Sequence, residues 1–255
     1  MLLAIDIGNT NVVIGCLGQD NRVLRQFRMA TDLKKTEDEY SAELRSILQQ
    51  NQVSADDFEG AIIGSVVPPL TEIFCLVAQQ ITGYRPLVVG TGIRTGLNIA
   101  IENPATLGAD LVAAGVAAMQ EYPLPVIVID MGTATTVTVV DKGNRFIGGA
   151  FLPGVALSMN ALSAGTSLLQ RVPIEAPGKY INTTTLTSMQ SGAVYGSACA
   201  LDGLIDRFGQ ELGSPVSVVA TGGIAPKIIP HCTHKIAYDP DLLLRGLGMI
   251  YQKNK

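Results

Sequence analysis

Apolar and polar positions follow the same order in two blocks of this chain. Residues 2–17 (LLAIDIGNTNVVIGCL) and 126–141 (VIVIDMGTATTVTVVD) each contain an apolar run, an Asp-x-Gly turn and a second β-branched run. A glycine turn between two such runs predicts a β-hairpin. The two blocks start 124 residues apart in a chain of 255. This spacing predicts two similar halves, because solenoid repeats recur every ~20–50 residues.

Strands and helices are predicted to alternate in the first half. A third strand over 22–29 precedes a helix over 36–50, which opens with the capping-box pair Thr36 and Glu39 and has apolar residues at helical spacing. The other expected elements are strands over 61–67 and 86–89 and helices over 70–82 and 106–120.

The second half repeats this order, which predicts an α/β architecture with mixed sheets. Its expected elements are strands near 126–131, 135–141, 145–151 and 216–221, and helices from about 153, over 185–209 and over 239–252. The short segment Gln120–Pro125 is the best candidate boundary. It predicts domains over 1–120 and 121–255 that are coupled by a hinge, since a flexible linker would be longer.

Composition excludes several classes of function. The net charge is −4, the longest basic run is Lys34-Lys35 and aromatic residues make up 5%, which argues against nucleic-acid binding. No apolar run approaches the ~20 residues that cross a bilayer, and the N-terminus lacks a basic leader. The four cysteines are widely spaced, so we expect reduced thiols and a cytoplasmic location.

The first Asp-x-Gly turn has the residue types of a phosphate site. Asp6 ends an apolar strand, Gly8 lets the backbone approach a ligand, and Asn9, Thr10 and Asn11 offer donors. Mg²⁺ prefers one or two carboxylates together with phosphate oxygens and water. The same pattern also occurs in ordinary Asx turns, and the first copy alone does not decide between them.

The second copy favours the phosphate interpretation. Asp130, Gly132 and Thr133 form an equivalent turn, and Gly222-Gly223 follow a predicted strand. Two such turns on two halves are expected to face each other across a central cleft that holds a nucleoside triphosphate and excludes water from phosphoryl transfer.

At this point the chain resembles the type III pantothenate kinases, within the superfamily of acetate kinases, sugar kinases, chaperones and actin. The resemblance implies two ribonuclease-H-like domains, a homodimer, and ATP-dependent phosphorylation of the primary hydroxyl of pantothenate, the first step of coenzyme A biosynthesis. It also implies a divalent ion such as Mg²⁺ and a monovalent cation such as K⁺ or NH₄⁺. The matching motifs are DIGNTN (6–11), TDLKKTEDEY (31–40), GSVVPPL (64–70), TGLNI (95–99), NPATLGAD (103–110), DMGTATT (130–136), GGAFLPGVALSMNAL (148–162), MQSG (189–192) and TGGIAP (221–226).

The resemblance also implies roles for individual residues. Asp110 would be the base that accepts the hydroxyl proton, although an acid in the first turn of a helix is also a common cap. Asp6 and Asp130 would serve the metal and phosphates, and Thr185 would reach the acceptor of the partner subunit. The implied ATP site comprises Asp6, Gly8, Asn9, Thr10, Asn11, Gly132, Thr133, Gly222 and Gly223, and the implied acceptor site comprises Gly108, Ala109, Asp110, Leu111, Ile101 and Thr185.

Several positions depart from the family pattern. Leu111 stands where Arg is usual, Ile101 where an aromatic residue is usual, and Val137-Thr138 where Phe-Asp is usual. An Arg fork on a carboxylate contributes on the order of 1.5–3 kcal/mol, so its loss matters for an anionic acceptor. Leu111 is alternatively a helix core residue. The change at Thr138 bears on the monovalent-cation site.

Three hypotheses remain open from the sequence. The chain is a pantothenate kinase with a rebuilt acceptor pocket, a kinase of the same fold for another small alcohol, or a nucleotide-binding regulatory homologue without turnover. Asp6, Asp110 and Asp130 favour the two kinases. His231 and His234 have metal-like spacing, but a solvated loop pair is the favoured interpretation over a zinc site.

Overall fold

The structure, a computed structural model, describes residues Met1–Lys255. It contains eleven strands and eight α-helices. The strands are β1 (Leu2–Ile7), β2 (Asn11–Leu17), β3 (Val23–Ala30), β4 (Gly60–Ser65), β5 (Leu87–Val88), β6 (Asn98–Ile99), β7 (Val126–Met131), β8 (Ala134–Val140), β9 (Arg145–Pro153), β10 (Ser217–Thr221) and β11 (Ala237–Tyr238). The helices are α1 (Glu37–Gln50), α2 (Pro68–Thr82), α3 (Ala109–Glu121), α4 (Val155–Ala164), α5 (Thr185–Ser191), α6 (Ser197–Leu212), α7 (Ala225–Ile228) and α8 (Leu242–Asn254).

The chain divides into two compact units. Unit 1 consists of Met1–Leu97, Glu102–Gln120 and Asp241–Lys255, and unit 2 consists of Asn98–Ile101 and Glu121–Pro240. The division between Gln120 and Glu121 falls where the sequence predicts a boundary. Unit 1 also takes the C-terminal segment, and unit 2 takes a short segment from the first half.

Both units are built on the same sheet topology. The sheet of unit 1 has the order β3-β2-β1-β4-β5, with β1, β2 and β3 antiparallel and β4 and β5 parallel to β1. In unit 2 the order β9-β8-β7-β10-β11 repeats this arrangement. These five strands have the mixed order of a ribonuclease-H-like sheet in each unit, and the sheet of unit 2 has a sixth strand, β6, beside β9. The predicted α/β fold with two mixed sheets is therefore confirmed.

The first strand of each sheet lies at its centre and is buried in the same pattern. β1 and β7 are buried at every position except the Asp before the last residue, which is half-buried. In β1 the side chains of Leu3, Ile5 and Ile7 have no exposed surface and pack with helices α1 and α2 in the core of unit 1. A continuous apolar run is typical of a strand covered on both faces. The core therefore holds each Asp-x-Gly turn at the end of a rigid strand.

Local sequence signals explain where the helices of unit 1 begin. The side chain of Thr36 accepts a hydrogen bond from the Glu39 amide and the Glu39 side chain returns one to Thr36, so the predicted capping box is present at the start of α1. Pro68 and Pro69, which end the preceding strand pattern, also form the first turn of α2. Proline suits this position because its missing N–H would be unpaired there anyway.

Several elements differ from the sequence-based expectation, among them strand β11, which was not predicted because it has two residues and pairs only with β10. The long helix predicted over 185–209 consists of α5, a π-helical turn over Gly192–Gly196, and α6. π-Turns are single wide turns that occur often near functional sites. Strand β6 was not predicted, since it has two residues and exists only by pairing with β9 in parallel.

The C-terminal helix α8 packs on strands β1, β2 and β4 of unit 1. Its glycines allow this packing, because a Cβ on Gly246 would overlap the backbone carbonyl of Ala113 in α3. The side-chain amide of Asn21 also donates to the carbonyl oxygen of Arg245 at 2.9 Å. These long-range contacts explain why residues 241–255 belong to unit 1, whereas chain order alone places them with the second half.

Two features of the structure bear on points raised by the composition. No helix has the length and apolar character needed to cross a membrane. All four cysteines are free thiols, and burial raises the pKa of Cys16 to about 11.

Candidate active site

The first Asp-x-Gly turn joins β1 to β2 in unit 1. Asp6 is half-buried at the end of β1, whereas residues 9–11 are exposed. The amide of Gly8 donates to the carbonyl oxygen of Asn11 at 3.0 Å and closes the turn. A carboxylate on a rigid strand followed by exposed polar residues is an arrangement that can hold a phosphate with its metal ion.

The second turn joins β7 to β8 in unit 2 and has the same plan. Asp130 is half-buried, and residues 132–134 are exposed. The amide of Gly132 donates to the carbonyl oxygen of Ala134 at 3.0 Å. The repeat seen in the sequence is therefore a repeat of local structure.

The two turns differ in length by one residue. In unit 1, Ile7 pairs with Val12 across the hairpin, so residues 8–11 form the turn. In unit 2, Met131 pairs with Thr135, so residues 132–134 form it. When the two blocks of sequence are aligned without a gap, each residue after the turn is therefore matched one position away from its structural equivalent.

Gly222-Gly223 lie beside the second turn. Thr221 pairs in parallel with Asp130, which brings the end of β10 next to that carboxylate. Gly222 has a φ of 92°, and a Cβ there would lie 2.6 Å from the Met131 oxygen and 2.8 Å from Asp130 Oδ1. Only glycine fits both the conformation and the space. Unit 2 therefore brings together Asp130, Gly132, Thr133, Gly222 and Gly223.

Asp110 is the second residue of α3 in unit 1. Its Oδ1 accepts a hydrogen bond from the Leu111 amide at 2.7 Å. Burial raises the pKa of Asp110, while hydrogen bonds from the Leu111 amide and its own amide oppose this change. The residue thus makes the helix-start contact expected of a cap, and it also has the raised pKa that suits a proton acceptor.

The start of α3 lies at the same edge of the sheet as Asp6. Asp6 pairs with Gly64 of β4 in parallel register. A Cβ on Gly64 would lie 3.7 Å from the Cβ of Ala109 and 3.0 Å from the side chain of Leu247. Glycine at position 64 thus accompanies close packing of α8. Unit 1 brings Asp6, Gly108, Ala109 and Asp110 to neighbouring strand and helix ends.

Two of the predicted acceptor residues have other surroundings. Leu111 is 7% exposed and packs inside unit 1, which agrees with the helix-core alternative. Ile101 belongs to unit 2, where its Cγ2 would lie 3.9 Å from a Cβ on Gly148. The resemblance implies that Ile101 serves the acceptor together with Asp110, and in the structure Ile101 lies shortly after strand β6, with which it belongs to unit 2.

Thr185 is exposed at the start of α5 and lines a cavity of about 930 Å³ within unit 2. The cavity extends from Met131, at the second turn, to α4 and α6. Its walls are mostly apolar, with hydroxyl groups from Thr184 and Ser188 at one side.

Sequence reasoning gave no role to two residues that contact the turns. Thr31 donates its amide to the Thr10 oxygen at 3.0 Å and its hydroxyl to the Gly8 oxygen at 2.6 Å. Gly154 donates its amide to the Thr133 oxygen at 3.1 Å. Thr31 and Gly154 both lie in motifs that match the family, and each directly follows the third strand of its sheet. This position was the signal in the sequence that could have identified them.

No group of three His, Cys, Asp or Glu side chains is arranged to hold a metal ion. His234 Nε2 lies 2.9 Å from Asp206 Oδ1, and His231 packs edge-on against Tyr195. Mg²⁺ in phosphate sites needs only one or two carboxylates because the phosphates and water complete its shell. The half-buried Asp6 and Asp130, each beside exposed turn residues, fit that requirement.

These features define a phosphotransferase of the actin-like ATPase and sugar kinase fold. Among solved structures, component A of the (R)-2-hydroxyglutaryl-CoA dehydratase from Acidaminococcus fermentans covers 100% of this chain and 99% of its own, with a TM-score of 0.55 and 16% identity. An inorganic polyphosphate/ATP-glucomannokinase from an Arthrobacter species covers 99% and 98%, with a TM-score of 0.50 and 14% identity. At these identities the likeness shows the fold.

Sequence comparison gives the family. The family model for type III pantothenate kinase matches residues 2–207. A type III pantothenate kinase from an Exiguobacterium species is 40% identical over 255 residues, which is 100% of both chains. The chain belongs to the type III pantothenate kinase family.

Proposed function

We propose that this enzyme transfers the γ-phosphate of ATP to the primary hydroxyl of pantothenate, the reaction for which its family is named. The observation that carries the proposal is the repeated Asp-x-Gly turn, one in each unit, together with Asp110 at the start of α3. Kinases of this kind catalyse transfer mainly by positioning and by electrostatic stabilisation of the phosphates.

We assign the proton-accepting step to Asp110. The hydroxyl oxygen of the acceptor attacks the γ-phosphorus, the bond to the β–γ bridging oxygen breaks, and ADP leaves. The hydroxyl proton passes to the Asp110 carboxylate. Its raised pKa makes this carboxylate a stronger base than an ordinary exposed aspartate.

The remaining site residues are assigned to ATP and the divalent ion. Asp6 and Asp130 are the proposed metal ligands, and the ion supplies positive charge to the phosphate oxygens when bound. The proposed phosphate contacts come from residues 8–11 in unit 1 and from Gly132 and Thr133 in unit 2. Gly222-Gly223 are the proposed nucleotide contact beside the second turn.

The identity of the acceptor is tested by turnover. Coupled assays of ATP consumption with pantothenate and with a panel of other small alcohols and hydroxy acids are expected to show turnover with pantothenate. Strong turnover of another alcohol without turnover of pantothenate would instead favour the second kinase hypothesis. That alternative rests on Ile101 and Leu111, which replace the usual acceptor residues.

We further propose a homodimer through the apolar surface of unit 2. Unit 2 exposes several large apolar side chains, and a second copy packed against them would remove them from water. The exposed fractions are 67% at Phe151, 89% at Leu168 and 88% at Ile181, and the other exposed apolar residues are Leu157, Leu162, Tyr180 and Leu186. Sedimentation is expected to give twice the 26.8 kDa of the chain, and a monomer at all concentrations would contradict the dimer. In the dimer, Thr185 would serve the partner's acceptor.

From the family resemblance we also propose that K⁺ or NH₄⁺ activates the enzyme. Thr138 is buried and donates to the Val128 oxygen at 3.4 Å, so its hydroxyl is engaged within the sheet and we do not assign it as a cation ligand. Activity is expected to rise when K⁺ replaces Na⁺ at constant ionic strength.

We place the enzyme in the cytoplasm, where ATP is abundant and free thiols are stable.

A further inference from the structure

The backbone of the first turn is held from one side by a residue distant in sequence. Thr31 directly follows β3, and both of its hydrogen-bonding donors reach carbonyl oxygens of the turn. The amide bonds the Thr10 oxygen at 3.0 Å, and the hydroxyl bonds the Gly8 oxygen at 2.6 Å. The turn is therefore fixed at two points by one residue.

The segment that carries Thr31 is itself anchored in the core. The Tyr40 side chain has no exposed surface. Its hydroxyl accepts a hydrogen bond from the Asp32 amide at 2.8 Å and donates to the Asp32 carbonyl oxygen at 2.9 Å. A continuous set of hydrogen bonds thus runs from the core through Asp32 and Thr31 to the turn.

Holding the Gly8 carbonyl determines the direction of the next amide. In a trans peptide, the C=O and the following N–H point in opposite directions. Because the Gly8 oxygen is directed at Thr31, the N–H of Asn9 points away from Thr31. Asn9 is an exposed residue, so a ligand can reach the turn on the side opposite Thr31. Backbone N–H groups presented in this way bind anions such as phosphate.

Unit 2 holds its turn at the equivalent position with a different residue. Gly154 follows β9 as Thr31 follows β3, and its amide bonds the Thr133 oxygen at 3.1 Å. A Cβ on Gly154 would overlap the Thr133 oxygen and lie 2.6 Å from the Gly132 oxygen. The three-residue turn leaves no room for a side chain here, whereas the four-residue turn of unit 1 leaves room for a threonine.

We propose that Thr31 is a positioning residue for ATP. Its hydroxyl fixes the peptide between Gly8 and Asn9 so that the Asn9 amide meets a phosphate oxygen, and it does not itself touch the nucleotide. This inference rests on the proposed function for its substrate, but it concerns a residue to which neither the sequence motifs nor the family assignment gives a role.

The test compares three variants of the full-length enzyme. Thr31→Val removes the hydroxyl with little change of shape, and Thr31→Ser restores it. Thr82→Val is a matched control, because the Thr82 hydroxyl makes a similar bond to the Ala78 oxygen at 2.8 Å in α2. The measurements are the affinity for a nonhydrolysable ATP analogue with Mg²⁺ by calorimetry, KM for ATP, KM for pantothenate, and the melting temperature.

A lost hydrogen bond of this kind contributes on the order of 0.5–1.5 kcal/mol. We therefore expect Thr31→Val to weaken binding of the analogue by about three- to tenfold and to raise KM for ATP equally, with KM for pantothenate unchanged. Thr31→Ser should bind like the wild type. Thr82→Val should lower the melting temperature without changing the affinity for the analogue.

Two other outcomes would overturn the inference. One is equal affinity for the analogue in Thr31→Val and the wild type, and the other is an equal loss in Thr82→Val, which would indicate a general effect of stability. A wild type that binds the analogue but does not phosphorylate pantothenate would contradict the proposed acceptor and leave the binding test of Thr31 intact.

Discussion

The two Asp-x-Gly turns show how a repeated motif can be supported in different ways. Their strands have the same order, the central strands have the same burial, and each turn follows a half-buried aspartate. The turn of unit 1 has one more residue, and the hydroxyl and amide of Thr31 bond its carbonyl oxygens. In the turn of unit 2, the amide of Gly154 bonds the Thr133 oxygen. The longer turn thus accompanies a threonine after the third strand, and the shorter turn accompanies a glycine.

The surroundings of the two turns differ as well. Unit 1 adds Asp110 at the start of α3, with a carboxyl whose pKa is raised by burial. Unit 2 adds Gly222, which lies against Asp130 and has a positive φ. Under the proposed function, the comparison assigns the proton acceptor to unit 1 and a close backbone approach to the nucleotide to unit 2.

The largest expected effect concerns the proton acceptor of unit 1. Asp110→Asn should lower the rate of phosphorylation by about 10²-fold or more, the usual contribution of a general base. The amide oxygen of Asn can still accept from the Leu111 amide, so the variant should fold, as circular dichroism can verify. The rate is measured with saturating ATP and pantothenate. A rate near that of the wild type would eliminate Asp110 as the base.

The next effect sharpens the difference between the two turns. Gly154→Ala forces a Cβ onto the carbonyl oxygens of the second turn. Overpacking of this kind costs about 1–3 kcal/mol, so we expect a lower free energy of unfolding and a rise of about tenfold in KM for ATP. Denaturant titration and steady-state kinetics measure the two quantities.

Gly178→Ala is the control for that variant, since a Cβ at Gly178 would meet nothing within 4 Å. It should leave both quantities unchanged. If Gly154→Ala behaves like Gly178→Ala, the second turn tolerates a side chain after all, and turn length does not explain the difference between Gly154 and Thr31.

The smallest effect is on pH dependence. Because burial raises the pKa of Asp110, the acidic limb of kcat/KM should lie at higher pH than an ordinary aspartate would give. Activity should fall as the pH falls through that raised pKa, since the base becomes protonated. The pH profile of Gly154→Ala should show the same acidic limb as the wild type. The residual activity of Asp110→Asn should show no acidic limb at this pH. An unchanged limb in Asp110→Asn would assign the titration to another group.

The raised pKa of Asp110 also affects the stability of the fold. This stabilisation weakens as the pH rises, whereas the activity increases. A carboxyl whose pKa is raised in the folded state favours folding only while it is protonated. Its contribution is complete below the pKa of the unfolded chain and is lost as the pH rises through the folded pKa. Unfolding titrations should therefore show a smaller loss of stability toward neutral pH in Asp110→Asn than in the wild type.

Local signals in the sequence predicted much of the fold. The hairpins at both turns, the capping box at Thr36 and the alternation of strands and helices depend on residues close together in the chain, and the structure has them. Strands β6 and β11 and the π-helical turn over Gly192–Gly196 were missed. Each of these strands has two residues and exists only through pairing with a neighbour, β9 or β10, and the π-helical turn interrupts a pattern that is otherwise helical.

The candidate site was predictable only in part for the same reason. The motifs identified the two turns, Gly222-Gly223 and Asp110 as candidates, and their roles as ligands remain predictions. The contacts of Thr31 and Gly154 with the turns were not foreseen, because they join residues far apart in sequence. The grouping of Ile101 with Asp110 came from the family resemblance and remains a prediction, and the sequence did not foresee that β6 places Ile101 in unit 2.

The sequence by itself determined the longer strands, the residue types of the two turns, the duplication and the family, because each depends on residue types at short spacing. Only the tertiary structure decided which unit takes α8, how long each turn is and which residue holds it. Those features depend on long-range packing, such as that of Gly246 against Ala113, and on the register of strands. A shift of register by one residue changes every contact that follows, while the local pattern of residue types stays the same.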